Sequence, residues 1–151
     1  MPKRYLAAAD ARRLRTLLKA PHEYVGRVDV RSDGRMVFDH ARKRSPGAGL
    51  TFHTHNRAAC RGGFDPPSRQ DLRHLCKWAR TGHYVVSHNG IYFVRISCRV
   101  PKARVEAVCK QITGLQKRLG PGGAYNAAWM RAANSLAPGC LHVKFISWSK
   151  L

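Results

Sequence analysis

The sequence predicts a single α+β domain, and three observations carry that reading. At 151 residues the chain is long enough to bury roughly two thirds of its surface in one core, so neither a disulfide nor a structural metal is needed for folding. Helical and strand periodicities both occur, and the strands come mostly as hairpin pairs. No internal repeat or linker-like composition divides the chain.

The elements follow in order. Ala7, Ala11, Leu14 and Leu18 recur at helical spacing before Pro21, which predicts an amphipathic helix over residues 5–20. Residues 24–30 alternate, with Val28 and Val30 on one face, and Asp33-Gly34 reads as a two-residue turn into a return strand at Met36 to Phe38. Arg42-Lys43-Arg44 falls in a loop, and Leu50 to His55 reads as a strand. The Gly- and Pro-rich stretch 56–67 is loop-like, and Leu72, Leu75, Cys76 and Ala79 predict a helix over 68–80. Tyr84 to Ser87 and Ile91 to Ile96 flank Asn89-Gly90 as a second hairpin. Val105, Val108, Ile112, Leu115 and Leu119 line one face of a helix after Pro101. An Ala-rich helix over 124–136 and a strand from Leu141 to Trp148 close the chain.

Charge dominates the composition: 28 Lys and Arg against 8 Asp and Glu give a formal net charge of +20. The excess is +7, +6 and +7 across residues 1–50, 51–100 and 101–151, so it belongs to the whole surface and not to an appended arm. Such a surface implies an anionic partner, whether nucleic acid or another polyanion, with Arg12, Arg13, Lys19 and the Arg42-Lys43-Arg44 loop as candidate contacts. The longest apolar run, Tyr5 to Ala9, is far short of the ~18 residues of a membrane helix, so no membrane partner is expected. The Arg-rich N-terminus could pass for a transit peptide but makes a good first helix. Five cysteines without a Cys-x-x-Cys argue against a disulfide framework or a four-Cys zinc site. The expected setting is a reducing intracellular compartment, cytoplasm or nucleus, or a virion.

Three short motifs carry chemistry. His53-Thr54-His55 puts two imidazoles at i and i+2, which on a strand leave the same face and can share a metal ion. Ser68-Arg69-Gln70-Asp71 offers a carboxylate at the next helix start, a spacing that also makes a helix capping box. Glu23, one of two glutamates, stands where the first strand begins. A Glu on an early strand, then His-x-His, then Ser-x-x-Asp resembles the JAMM motif of the JAB1/MPN family of zinc metalloproteases. Asp71-Leu72, the helix that follows, and the hairpin around Val85 to Tyr92 extend the likeness over residues 5–97, about two thirds of the chain. Pro67-Ser68-Arg69-Gln70-Asp71 is similar to the family's RadC-like branch.

The resemblance implies a JAB1/MPN-like, cytidine-deaminase-like mixed sheet with hairpins flanked by helices, with residues 98–151 adding helices and a closing strand. It implies that His53, His55 and Asp71 hold Zn2+ and leave a position for water, that Glu23 is the general base, and that Ser68 stabilises the oxyanion. The activity implied is hydrolysis of isopeptide or peptide bonds, with ubiquitin, a ubiquitin-like conjugate or another protein as substrate. Two features depart from the family pattern. Asn56 stands where the family usually has proline, and the twelve residues between His55 and Ser68 exceed its usual seven by about five. Closing a longer loop adds only ~0.6 kcal/mol per doubling, so the ligands can still meet, while the insertion Arg57 to Pro67 is expected to overhang the metal.

Other chemistries fit less well. A zinc deaminase needs His-x-Glu and Pro-Cys-x-x-Cys, which are absent; nothing activates Cys60 or Cys76 as a nucleophile; His74, one turn after Asp71, is a surface residue or an orienting one. A basic nucleic-acid-binding or virion-associated protein without proteolysis is the alternative function, and a scaffold lacking activity is a third.

Overall fold

The computed structural model describes residues 2–40, 49–56, 63–77, 82–120, 122–136 and 138–151. Arg42, Lys43 and Arg44, Cys60, most of the insertion after His55 and the end of the helix expected over 68–80 lie outside the described residues.

Helix α1 (Ala8–Leu17) leads into strands β1 (Val25–Val30), β2 (Met36–Asp39) and β3 (Leu50–Thr54). Helix α2 (Arg69–Lys77) then precedes the hairpin of β4 (Gly82–Ser87) and β5 (Gly90–Ile96). Helices α3 (Lys102–Leu119) and α4 (Gly123–Ser135) precede β6 (Leu141–Ser147), and a 3-10 turn follows at Trp148–Lys150. The strands form one six-stranded mixed sheet in the order β2-β1-β3-β4-β5-β6. Every neighbouring pair is antiparallel except β3 and β4. A parallel pair cannot be joined by a tight turn, so the chain crosses over through α2.

Alternation along the strands gives each sheet face its own core. On one face Leu14 and Leu18 of the α1 segment pack with Val28, Phe38, Phe52, Tyr84 and Val86. On the other, Leu72 of α2, Val105 and Ile112 of α3 and Trp129 of α4 pack with Val85, Tyr92, Val94 and Val143. Because Phe52 faces α1, its neighbours Thr51 and His53 face the side of α2. The mixed α+β class and the expected elements are therefore present, and their boundaries shift.

The first helix is shorter than residues 5–20. Tyr5 instead bridges to Arg35 beside β2, its N–H donating to Gly34 O at 3.1 Å. The first hairpin turn is not the two residues Asp33-Gly34: Arg31 N–H donates to Arg35 O at 2.9 Å, and Gly34 at φ 89° takes the left-handed position of a three-residue turn. In the second hairpin Ser87 pairs with Gly90, so His88 and Asn89 make the turn. Val30 and Leu119, expected on buried faces, are exposed at the ends of their elements. The cysteine reading also changes: Cys98 and Cys140 form a disulfide across the start of the β5–β6 ladder, while Cys76 and Cys109 are free and buried. Among the described residues, no helix is long and apolar enough to cross a membrane.

Candidate metal centre

The site forms where β3 ends and α2 begins. His53 lies in β3 and His55 just beyond it, held to β4 by its N–H donating to Val86 O at 2.8 Å. Asp71 sits in the first turn of α2. Ser68 caps that helix: its Oγ accepts the Asp71 N–H at 3.0 Å, and its own N–H donates to Asp71 Oδ2 at 2.6 Å. This is a reciprocal capping box, with Asp in the acidic position. The Ser68 hydroxyl proton is not used in that exchange, and the residue is exposed.

Three donor atoms converge. His53 Nε2 and His55 Nε2 are 2.9 Å apart, and Asp71 Oδ2 lies 3.4 Å from the first and 3.3 Å from the second. Tetrahedral zinc with ligands at ~2.0–2.1 Å requires ligand atoms roughly 3.3–3.4 Å apart. The two edges to Asp71 have that length and the edge between the histidines is shorter, and the two-nitrogen, one-oxygen donor set suits zinc. The grouping of His, Cys and acidic donors within 4.8 Å of one another comprises His53, His55 and Asp71, without Glu23.

Glu23 stands just before β1. Val25 pairs with His53, and the ladder continues as Thr54 N–H donates to Tyr24 O at 2.9 Å. Tyr24 N–H goes to the Thr54 side chain, Oγ1 at 2.8 Å, so the regular ladder ends there, and Glu23 lies before it, outside β1. It is exposed.

The ligand nitrogens are oriented from behind by residues that sequence reasoning did not assign. His55 Nδ1 lies 3.1 Å from Asp65 O and 3.3 Å from Asp65 Oδ2, and His53 Nδ1 lies 2.6 Å from His83 Nε2. Asp65 belongs to the insertion expected to overhang the site. Its described part, residues 63–67, is built into the fold: Asn89 Nδ2 donates to Gly63 O, Phe64 meets Phe145 edge-on at 5.6 Å, and Pro66 and Pro67 are buried. Asn56, in the position of the family's proline, donates from Nδ2 to Leu17 O at 2.7 Å and Ala20 O at 3.0 Å, tying the end of α1 to the histidine strand.

Electrostatics follow from these contacts. Burial disfavours a charged His55, yet hydrogen bonds to Asp65 and Asp71 prevail and raise its pKa to about 10. Burial likewise opposes the Asp71 charge, and the His53 and His55 imidazoles beside it outweigh that, holding the carboxyl well below the usual carboxylate range. Without metal the centre is thus an ion pair of His55 and Asp71. His74 is exposed. Arg12, Arg13 and Lys19 are exposed on the α1 segment, where Arg13 lies within 3.4 Å of His40 Nδ1. Comparison of the chain with protein-family models, curated proteins and solved structures finds no match.

Proposed function

We propose that this protein is a zinc-dependent metallopeptidase of JAMM type, with a JAB1/MPN-like fold, that hydrolyses isopeptide or peptide bonds. The observation that carries the reading is the triangle of His53 Nε2, His55 Nε2 and Asp71 Oδ2, with edges of 2.9, 3.4 and 3.3 Å, with Ser68 capping the helix that bears Asp71. A zinc ion there would supply Lewis-acid polarisation of a water and of the scissile carbonyl. Glu23, an exposed carboxylate outside the donor triangle, takes the attacking water's proton and returns it to the leaving amine. Ser68 donates its free hydroxyl proton to the carbonyl oxygen as negative charge develops.

The test is Glu23→Gln, which keeps shape and removes the base. Parent and variant should each hold about one zinc per chain, while cleavage of ubiquitin-type isopeptide or peptide substrates falls by a factor on the order of 100 to 10,000. Equal activity in both would refute the mechanism. Inactivity of parent, variant and chelated protein alike would favour a second reading drawn from the +20 charge, a basic nucleic-acid-binding or virion-associated protein that does no proteolysis.

A further inference from the structure

We infer that His83 is a positioning residue for the metal centre, fixing the tautomer and ring orientation of His53 through a His53–His83–Thr51 hydrogen-bond relay. The inference rests on the proposed metal site at His53, His55 and Asp71 and assigns a residue outside it.

The relay is a product of the parallel β3–β4 pairing. Thr51 is the register partner of His83, and His53 the partner of Val85. Thr51, His53 and His83 therefore project from one face of adjacent strands. His83 bridges the other two side chains: its Nδ1 lies 2.7 Å from Thr51 Oγ1 and its Nε2 2.6 Å from His53 Nδ1. The His53 and His83 rings stack with centroids 4.9 Å apart and planes at 28°, so the contact fixes ring tilt as well as the nitrogen position.

Proton count selects the direction of the relay. A neutral imidazole carries one N–H and one lone pair, and each His83 nitrogen faces one partner. Threonine's hydroxyl can accept or donate. If Thr51 donated to His83 Nδ1, His83 would donate from Nε2 into His53 Nδ1, and the remaining proton of a neutral His53 would occupy Nε2 and block it as a ligand. In the other direction His53 Nδ1–H donates to His83 Nε2, and His83 Nδ1–H donates to Thr51 Oγ1. Only this direction leaves the His53 Nε2 lone pair aimed at His55 and Asp71. His55 gets the same service from Asp65, whose oxygens can only accept. Behind His53 Nδ1 stands the ring nitrogen of a second histidine instead. Partners behind a metal-bound histidine commonly carry 10- to 100-fold of metal affinity.

Full-length protein without a histidine tag, parent and His83→Leu, His83→Gln and Thr51→Val, should be titrated with zinc against a chromophoric chelator. Long-range proton–nitrogen NMR of the imidazoles in the chelated proteins reports the tautomer without metal. We expect His83→Leu to bind zinc about 10- to 100-fold more weakly with unchanged circular dichroism, and to lose the pure Nδ1–H tautomer of His53. His83→Gln, whose amide oxygen can replace Nε2 as acceptor, should recover affinity and tautomer, and Thr51→Val should weaken binding less than His83→Leu. Parent affinity in His83→Leu, or equal loss in the Leu and Gln variants, overturns the inference. If His83→Leu fails to fold, the Gln and Thr51→Val results decide on the same terms. If the parent binds no zinc, the metal reading fails separately, and an Nε2–H tautomer of His53 in the parent would still overturn the relay.

Discussion

Zinc binding at this centre should consume a proton's worth of pH dependence, because the metal-free state already satisfies its ligands with one another. The perturbation is pH, varied with and without chelator. In the chelated protein His55 has its pKa raised from an ordinary 6.5 to about 10 by Asp65 and Asp71 against burial. A raised folded-state pKa means stability that is fully present below pH 6.5 and is lost as pH rises toward 10. One such group limits the slope to about 1.4 kcal/mol per pH unit. Asp71, with its pKa depressed, acts in the opposite window: its contribution is present above the ordinary 3.8 and lost as pH falls below it. Chelated protein should therefore be most stable near pH 4 to 6.5 as far as this pair is concerned and should soften toward pH 9, while remaining folded. Zinc needs the lone pair of His55 Nε2, so it displaces that proton, and apparent affinity should rise about tenfold per pH unit between pH 7 and 9. Calorimetric titration in buffers of different ionisation enthalpy should return close to one proton released per zinc. Affinity independent of pH over that range, or chelated protein that gains stability from pH 6.5 to 9, would refute the ion-pair account.

Ser68→Ala removes a helix cap and the proposed oxyanion donor together: unfolding should cost about 1 kcal/mol less, and cleavage should fall on the order of 100- to 1,000-fold with zinc content retained. Asn56→Ala deletes two hydrogen bonds to the end of α1; a loss of roughly 1–2 kcal/mol, read as a melting temperature lower by several degrees, is expected, and an unchanged melt would show that those bonds add nothing net. The even basic surface predicts salt-sensitive binding to duplex DNA, with log K falling against log salt at ~0.9 per neutralised phosphate. Reversing Arg12, Arg13 and Lys19 to Glu should weaken that binding without altering zinc affinity, and binding insensitive to salt would remove the electrostatic account.

Periodicity made most of the fold legible. Leu72 and Cys76, Val105 through Leu115, the alternation of β1 and the Asn89-Gly90 signal between β4 and β5 each specify an element locally, although β4 and β5 are buried on both faces. The convergence of the candidate donors was legible for the same reason, since His53 and His55 share a face on any strand and Asp71 shares a helix start with its cap. What stayed hidden depends on which segments meet. His83 is 30 residues from His53, and only the parallel register of β3 with β4 sets it beside Thr51. Asp65 sits in a loop whose composition says nothing of a contact with His55. Cys98 and Cys140 are 42 residues apart and meet because Ile96 pairs with Leu141. Turn identity was missed by a residue in both hairpins, where left-handed Gly34 closes a three-residue turn and Gly90 begins a strand.

The Ser-x-x-Asp spacing can serve a helix cap or a metal ligand, and the geometry makes the two compatible in one residue. Asp71 Oδ2 accepts the Ser68 N–H at 2.6 Å while standing 3.3–3.4 Å from both imidazole nitrogens. The cap restricts the rotamer of Asp71 as soon as α2 forms, so the ordering cost of that ligand is met by helix formation and not by metal binding. Asp65 and His83 do the same for the two rings. A site ordered in this way by its surroundings does not need metal to fold, in contrast to a zinc finger, where binding energy and folding energy are the same quantity. On the proposed function the corollary is a separation of effects: removing zinc should abolish cleavage and leave the circular dichroism intact, whereas Asp71→Ala, which removes the acceptor of the Ser68 N–H and leaves His55 with one of its two acidic partners, should lower both zinc affinity and the stability of the chelated protein. If Asp71→Ala left chelated protein as stable as its parent, the capping contact would contribute nothing to the fold, and the claim that the fold orders this ligand in advance would fail with it.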